Sequence, residues 1–192
     1  SWPKRLVGEG RRMARSATLL RFNIDISDVD ANVYESVALR VAQHPSESDV
    51  YCICRVIAYC LHIGDGIDWS KAGLCDGDEP ALKAESLTGE MKLWIDIGSP
   101  SADRLHKASK RVPRVVVYTH KRPELLLAKL SNQSIHRADE LELYSLDPGM
   151  IDGLAQQLER TNNWSVFRQD NELLISVGAE SFNSPIIQLR TA

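Results

Sequence analysis

The clearest pattern in the chain is a strict alternation of apolar and polar residues that begins after Thr18. The apolar positions are Leu20, Phe22, Ile24 and Ile26, with polar side chains between them. A period of two places the apolar set on one face of a β-strand. A turn-rich stretch, 27–32, separates this run from a second alternating run at Val37, Leu39 and Val41. The pattern therefore predicts an N-terminal antiparallel hairpin.

Helical spacing replaces the alternation after His44. Ser46 can cap the free amides of a helix start, and Glu47 and Asp49 suit the positive end of its dipole. Apolar residues then recur at the spacing of one helix face, at Val50, Ile53, Cys54, Ile57, Cys60 and Leu61. We expect a helix here that packs one face on a sheet.

The remaining patterns predict strands and helices in alternation. Strands are predicted at Leu93 to Ile97, Val115 to Tyr118, Leu141 to Leu146 and Ile186 to Leu189. Helices are predicted around the stripe Leu105, Ala108 and Val112, over Pro123 to Leu130, and after Asp147 and Pro148. The run Val115 to Val117 is apolar without alternation, which is typical of a strand covered on both faces. A second hairpin is predicted across Asp170 and Asn171.

Helices between strands, with hairpins at both ends, predict one α/β domain over residues 13–192. We expect a compact mixed sheet flanked by helices. Residues 1–12 are basic, contain glycine and show no period, so we expect an N-terminal extension or an added leader before Met13.

Composition and charge narrow the class of protein. The 192 residues are 43% hydrophobic and 26% charged, which is enough apolar material for one sizeable core. A net charge of -3 argues against a protein that coats nucleic acid with a broad basic surface, but it is compatible with a local basic face. No apolar run reaches the roughly 18 residues of a membrane span, and no secretory signal is evident. We therefore expect a cytoplasmic protein with no membrane partner.

The four cysteines, at positions 52, 54, 60 and 75, have two interpretations. Three fall in one predicted helix, where they cannot easily pair with one another, so we expect reduced thiols and no disulfide-linked partner. A zinc site that also uses His44 or His62 is the alternative, but no CxxC or HxxxH spacing is present. Small buried hydrophobic residues are the favoured interpretation.

Carboxylates gather near predicted strand and helix ends. They are Glu47 at a helix start, Asp78 and Glu79 before Pro80, and Asp96 near the end of a strand. Mg²⁺ prefers oxygen ligands and accepts one or two carboxylates together with water and phosphate. Solvated carboxylates at caps and loops are the alternative explanation.

The order of three segments resembles the YaeQ family. They are the HPSE element within 42–48, the DEP element within 73–80, and the segment 93–100 that carries Asp96 and precedes Lys107 and Ala108. The similarity covers essentially residues 13–192 and is strongest from 39 to 119. The HPSE and DEP elements together are specific.

This resemblance implies a compact variant of the PD-(D/E)XK nuclease fold, the restriction-endonuclease-like core that hydrolyses phosphodiesters with Mg²⁺. It implies that Glu47, Asp96 and Asp78 or Glu79 are ligands of Mg²⁺ or Mn²⁺. It makes Lys107 the candidate catalytic lysine, acting with Asp96 and Glu47.

Two positions depart from the nuclease motif. The lysine that normally stands two residues after the central acid is replaced by Gly98, so Lys107 must reach in from the next helix. The residue after Pro80, where the motif places an acid, is Ala81. Lys92 shares the Asp96 face but lies roughly 13 Å away along a strand.

Other charged residues have structural and functional interpretations. Arg55 lies among apolar residues, so we expect an ion pair with a carboxylate. The cations at 104, 107, 110 and 111 are interpreted as a solvated face or as a phosphate track. His44 and His120 are expected to be capping or core residues.

Two functions follow. The leading hypothesis is a Mg²⁺- or Mn²⁺-dependent phosphodiesterase acting on nucleic acid. The alternative is a non-catalytic nucleic-acid-binding or regulatory protein that retains the nuclease fold. The first requires the carboxylates of Glu47, Asp96 and Asp78 or Glu79 to lie within about 7 Å of one another. It also requires the Lys107 nitrogen within about 6 Å of Asp96. The sequence predicts no particular oligomeric state.

Overall fold

The computed structural model describes residues 16–69 and 78–191, so the extension expected at 1–12 lies outside it. In chain order its elements are β1 (Thr18–Asp28), β2 (Val33–Gln43), α1 (Asp49–Leu61), β3 (Asp68–Trp69), β4 (Leu82–Glu85), β5 (Met91–Ile97), α2 (Ala102–Arg111), β6 (Arg114–Thr119), α3 (Pro123–Leu130), β7 (Glu142–Ser145), α4 (Pro148–Gln156), β8 (Thr161–Gln169), β9 (Glu172–Val177), β10 (Glu180–Pro185) and β11 (Ile187–Leu189). Two short 3₁₀ helices, Ile63–Asp65 and Ala138–Glu140, complete the described elements.

The strands form two mixed sheets. Sheet A has the order β10-β9-β8-β1-β2, and sheet B has the order β11-β7-β6-β5-β4-β3. In sheet A, β1 pairs antiparallel with β2 and parallel with β8. In sheet B, β5, β6 and β7 are parallel, and the flanking strands are antiparallel.

The expectation of one sheet was wrong, although both predicted hairpins are present. The β1–β2 and β8–β9 hairpins lie side by side in sheet A, while the central parallel strands form sheet B. Alternation along a strand identifies its buried face but not the strand that pairs with it. The sequence pattern therefore could not separate the two sheets.

Helix α1 lies between the sheets. It is buried on nearly every side, and its core residues belong to a cluster that also contains residues of both sheets. A helix that is apolar all round must be covered all round. Helix α4 contacts α1 and shares this middle layer.

A second core lies on the other side of sheet B. Trp94, Val115 and Val117 pack there with residues of α2 and α3, whereas Ile95 and Val116 face the first core. This confirms the prediction that the apolar run at Val115 is covered on both faces. The layers are therefore sheet A, α1 with α4, sheet B, and α2 with α3.

The residue that caps the start of α1 differs from the prediction. Ser48, not Ser46, is the N-cap, and its hydroxyl accepts a hydrogen bond from the Tyr51 amide at 3.1 Å. Ser46 instead bonds the ring of His44 through its hydroxyl and its amide. The shift places Glu47 before the helix, with its side chain turned inward.

Candidate functional site

Asp96 lies near the end of β5 and is only 1% exposed. Arg104, in the first turn of α2, donates to both of its carboxylate oxygens: Nε to Oδ2 at 2.7 Å and Nη2 to Oδ1 at 2.9 Å. The two planar groups therefore meet in the bidentate geometry that guanidinium and carboxylate favour. The Arg104 guanidinium therefore occupies the position beside the Asp96 carboxylate.

The same arginine fastens the segment before β4 to α2. Arg104 Nη2 donates to the main-chain carbonyl of Glu79 at 2.7 Å. Two helical turns later, Arg111 Nη1 donates to the carbonyl of Asp78 at 3.2 Å. Both guanidinium carbons lie over the Trp94 ring, at 5.1 and 5.7 Å from its centroid. Arg104 thus makes structural contacts that neither a solvated face nor a phosphate track predicts, whereas Arg111 makes its contacts from an exposed position.

Lys107 does not occupy the position expected of a catalytic lysine beside Asp96. Its side chain is 71% exposed, and its ammonium pairs with Asp103 at 3.0 Å. Arg104 lies in the turn nearest the end of β5, while Lys107 lies one turn further along α2. The cation bound to Asp96 is therefore Arg104, and its place in the first helical turn after the strand was the signal that could have identified it.

Glu47 forms a second, separate ion pair. Its carboxylate is buried and lies 2.9 Å from Arg55 Nη2, which also donates to the Ala42 carbonyl. Burial raises the pKa of Glu47, and the opposing attraction of Arg55 does not fully offset it. The expected structural ion pair of Arg55 is confirmed.

Glu47 and Asp96 do not share a site. Ile95 and Ile97 point from β5 toward the middle layer with α1, so the alternating residues Trp94 and Asp96 point toward α2. Glu47 is paired with Arg55 of α1, on the opposite face of sheet B. The alternation along β5 therefore argues against the expected convergence of the carboxylates, because Asp96 points to the face of sheet B that α1 does not cover.

The described carboxylates consequently do not fit a shared Mg²⁺ or Mn²⁺. Within residues 16–69 and 78–191, no three His, Cys, Asp or Glu side chains are grouped so that they could hold a metal ion. Asp78 is exposed and Glu79 is partly buried, and the contacts that tie both to α2 use main-chain carbonyls. The main chain of this segment, through its carbonyls, is therefore what binds it to α2.

The two departures from the nuclease motif have structural roles. Ala81 is fully buried, and its amide donates to the Ile95 carbonyl at 3.0 Å. Gly98 has φ +93°, a conformation that L side chains rarely adopt, while its amide donates to the Tyr118 carbonyl. The backbone itself therefore favours glycine where the motif has lysine.

A buried polar network that the sequence did not reveal lies on the α1 side of sheet B. His62 bonds the Tyr118 hydroxyl through Nε2 at 2.6 Å and Asp65 through Nδ1 at 2.8 Å. The hydrogen bond with His62 helps to lower the pKa of Asp65, and burial raises the pKa of Tyr118. No short motif links residues 56 positions apart, so only the fold brings them together.

The network continues to the surface. Arg114 pairs with Asp65 at 3.3 Å and binds Glu142 through two hydrogen bonds of 2.6 and 3.0 Å. The Tyr144 hydroxyl also donates to Glu142, and its ring stacks on Tyr118. These contacts join the end of α1 to β6 and β7.

The described cysteines lie in the core. Cys52, Cys54 and Cys60 are buried free thiols, and burial raises the pKa of each to about 12. A thiol with so high a pKa is a poor nucleophile at neutral pH. Their interpretation as small buried residues is confirmed, while Cys75 lies outside the described ranges.

The matching family model, described as YaeQ protein, covers residues 13–186. A YaeQ protein of Escherichia coli strain K12 is 26% identical over 165 residues, which cover 85% of this chain and 91% of that protein. A YaeQ protein of Salmonella typhi matches to the same extent. Both relatives are described as "Uncharacterized protein YaeQ".

Two solved structures share the fold. The crystal structure of YaeQ from Xanthomonas axonopodis pv. citri superposes with a TM-score of 0.80 at 29% identity, covering 92% of this chain and all of that one. The structure of YaeQ from Pseudomonas syringae gives a TM-score of 0.81 at 26% identity, with 92% and 97% coverage. The two-sheet architecture is thus common to all three chains.

Proposed function

Because this chain belongs to the YaeQ family, we propose that it is a non-catalytic nucleic-acid-binding protein built on a compact variation of the PD-(D/E)XK nuclease fold. The fold part of the proposal is supported by β5, the turn at Gly98 and α2, with Asp96 near the strand end. The parallel strands β5, β6 and β7 provide the platform for this unit.

The Asp96–Arg104 pair is the observation that carries the non-catalytic assignment. A carboxylate must offer its oxygens to a metal at roughly 2.0 to 2.6 Å, but both oxygens of Asp96 already accept from one guanidinium. Removing that guanidinium would take two hydrogen bonds from a buried charge. The pair therefore acts as a structural clamp between β5 and α2.

The nucleic-acid part of the proposal is supported by the outer side of α2. Lys107, Lys110 and Arg111 are exposed there, and Asp103 is the acidic residue in the helix. Lysine and arginine at one surface bind phosphates without reading sequence. This basic face, defined by those three cations, is the proposed contact with a nucleic-acid backbone.

A metal-dependent phosphodiesterase is the competing function. It requires Asp96 to exchange Arg104 for Mg²⁺ or Mn²⁺, and Glu47 to leave its pair with Arg55 on the other face of the sheet. It also requires Lys107 to leave Asp103. Three rearrangements separate the structure from that function.

We also propose that the protein works in the cytoplasm. The three buried free thiols support this location, since reducing compartments preserve such groups. No helix among the described residues is long and apolar enough to cross a membrane.

One experiment separates catalysis from binding. Single- and double-stranded DNA and RNA are incubated with the protein and Mn²⁺, beside the Asp96→Asn variant, while calorimetry measures Mn²⁺ binding. The proposal expects no cleavage and no saturable Mn²⁺ binding. Cleavage by the wild type that disappears with Asp96→Asn would establish the phosphodiesterase instead.

A second experiment tests the basic face. Lys110→Glu is compared with Lys121→Glu, which makes the same charge change at the other end of β6, about 20 Å away along a six-residue strand. Duplex binding is measured in EDTA at several salt concentrations. Lys110→Glu should weaken binding and reduce the salt slope by about 0.9 for each phosphate that is no longer neutralised. Equal effects of the two substitutions would contradict a specific role for α2.

A further inference from the structure

The outer face of sheet A is open to solvent throughout the described strands. In β1 the apolar residues point inward, while Arg21, Asn23 and Asp25 are exposed on the outside. The outward positions of β2 and β8 are exposed as well. The described helices lie on the inner side of the sheet or beyond sheet B. This sheet face therefore has no intramolecular cover among residues 16–69 and 78–191.

One row across this face is aromatic and apolar. The strand register aligns Tyr34, Ser27, Phe167 and Leu174 on β2, β1, β8 and β9. Tyr34 is 60% exposed, Phe167 39% and Leu174 40%. Two strand spacings separate Tyr34 from Phe167, or about 10 Å. The row presents two flat rings at the surface with a small residue between them.

The other end of the face is basic. Arg21 and Arg40 stand directly opposite each other in the β1–β2 register, and both are exposed. Like charges placed opposite each other destabilise a sheet unless an anion lies between them. Among the described residues, neither guanidinium has a carboxylate partner. The exposed Arg160 lies alongside, since its carbonyl accepts the Arg21 amide at 2.8 Å.

Short polar side chains and the carboxylate of Asp25 connect the two ends. Asn23 donates to Asn163 at 3.0 Å, and Ser36 donates to Asp25 at 2.6 Å. From Arg21 to Ser27 the strand extends about 20 Å. An anionic polymer with flat apolar groups could therefore contact the arginines and both rings at once.

We infer that the outer face of sheet A binds single-stranded nucleic acid, with phosphates at Arg21 and Arg40 and unpaired bases stacked on Tyr34 and Phe167. Exposed aromatic rings on a sheet stack unpaired bases, and arginines neutralise the backbone. A duplex keeps its bases stacked on one another and cannot use the rings. This surface is separated by two layers from the basic face of α2, so it does not depend on the function proposed there.

Fluorescence anisotropy with labelled oligo(U), oligo(dT) and a duplex of the same length tests the inference. Tyr34→Ala and Phe167→Ala should each weaken single-strand binding by about 5- to 150-fold, the range measured for loss of one base–aromatic stack. Duplex binding should not change. Leu125→Ala, at an exposed apolar residue of α3, is the control.

Salt dependence tests the arginine end. The double variant Arg21→Gln/Arg40→Gln should lower the single-strand salt slope by about 1.4, or about 0.7 for each arginine. Arg190→Gln, an exposed arginine beyond β11, should leave the slope unchanged. Melting temperatures near that of the wild type would confirm that the variants fold.

The outcomes distinguish this site from the basic face of α2. Loss of single-strand binding in the sheet variants but not in Lys110→Glu supports the inference, whatever happens to duplex binding. Loss in Lys110→Glu alone would overturn it and leave the α2 proposal standing. A concentration-dependent dimer that Tyr34→Ala dissociates, with no oligonucleotide binding, would show that a second copy covers the face and would also overturn it.

Discussion

Replacing Arg104 with methionine tests the structural clamp most directly. The substitution keeps a long apolar side chain over Trp94 but removes the guanidinium that makes two hydrogen bonds to Asp96. The Asp96 carboxylate, 1% exposed, then loses both hydrogen bonds from Arg104. Removing one partner of a buried ion pair costs about 3–5 kcal/mol, because the remaining charge stays desolvated. Typical domains are stable by about 5–15 kcal/mol, so the loss is a large fraction of the total.

A matched substitution on the same helix sets the scale. Lys107→Met also removes one cation from α2, but its ion pair with Asp103 is exposed on both sides. Such a helical surface pair contributes about 0.3–0.5 kcal/mol. The two methionine variants should therefore differ roughly tenfold in their loss of unfolding free energy.

Urea unfolding followed by circular dichroism and tryptophan fluorescence measures both variants. The double variant Asp96→Leu/Arg104→Met should regain much of the stability, as replacement of a whole buried pair often does. A loss below about 1 kcal/mol in Arg104→Met would refute the clamp.

The clamp also determines the expected stability of Asp96→Asn. In a cluster of like charges this substitution would be neutral or stabilising, because repulsion is relieved. The structure instead pairs Asp96 with Arg104, so the asparagine variant should lose stability. Its loss should be smaller than that of Arg104→Met, since the freed guanidinium is 17% exposed and keeps the Glu79 carbonyl.

Three further substitutions have definite expected outcomes. The hydrogen bond with His62 lowers the pKa of Asp65, so the ionised Asp65 side chain stabilises the fold above pH 3.8 and this stabilisation is lost as the pH falls. Asp65→Asn should therefore reduce the dependence of the unfolding free energy on pH, measured between pH 6 and pH 2.5. Gly98→Ala forces an alanine into φ +93° and should cost about 1–3 kcal/mol in a urea titration, even though open space surrounds the new methyl group. Gly153→Ala places a Cβ against the Phe182 ring and should cost about 1–3 kcal/mol, and an unchanged melting temperature would contradict this expectation.

Local patterns predicted most of the elements. Helix α3 begins at Pro123 and ends at Leu130 as predicted, because proline suits the first helical turn and the apolar stripe fixes the length. Strands β1 and β2 follow their alternation closely. The pattern gave no sign of β10, whose residues Ser181, Asn183 and Pro185 face outward as polar or small side chains.

The candidate site was harder to predict than the fold. The sequence identified Glu47 and Asp96 as candidate site residues, and both carboxylates are buried and form ion pairs with arginine. Their partners depend on which face of sheet B each occupies, and that is a property of the assembled layers. Spacing along the chain could suggest that Lys107 reaches Asp96. It could not show that Arg104 occupies the position beside the Asp96 carboxylate.

The parallel pairing of β1 with β8 governs how this chain can assemble. Asn23 and Asn163 touch across this seam although 140 residues separate them in the sequence. On a ribosome, the β1–β2 hairpin is made before β8, so its apolar face lacks this neighbour until β8 emerges. The four apolar side chains of β1 that are buried in the folded protein therefore lack this parallel neighbour until β8 is made. Completion of sheet A should therefore be the slow step of folding, and β1 should be the segment most in need of a chaperone.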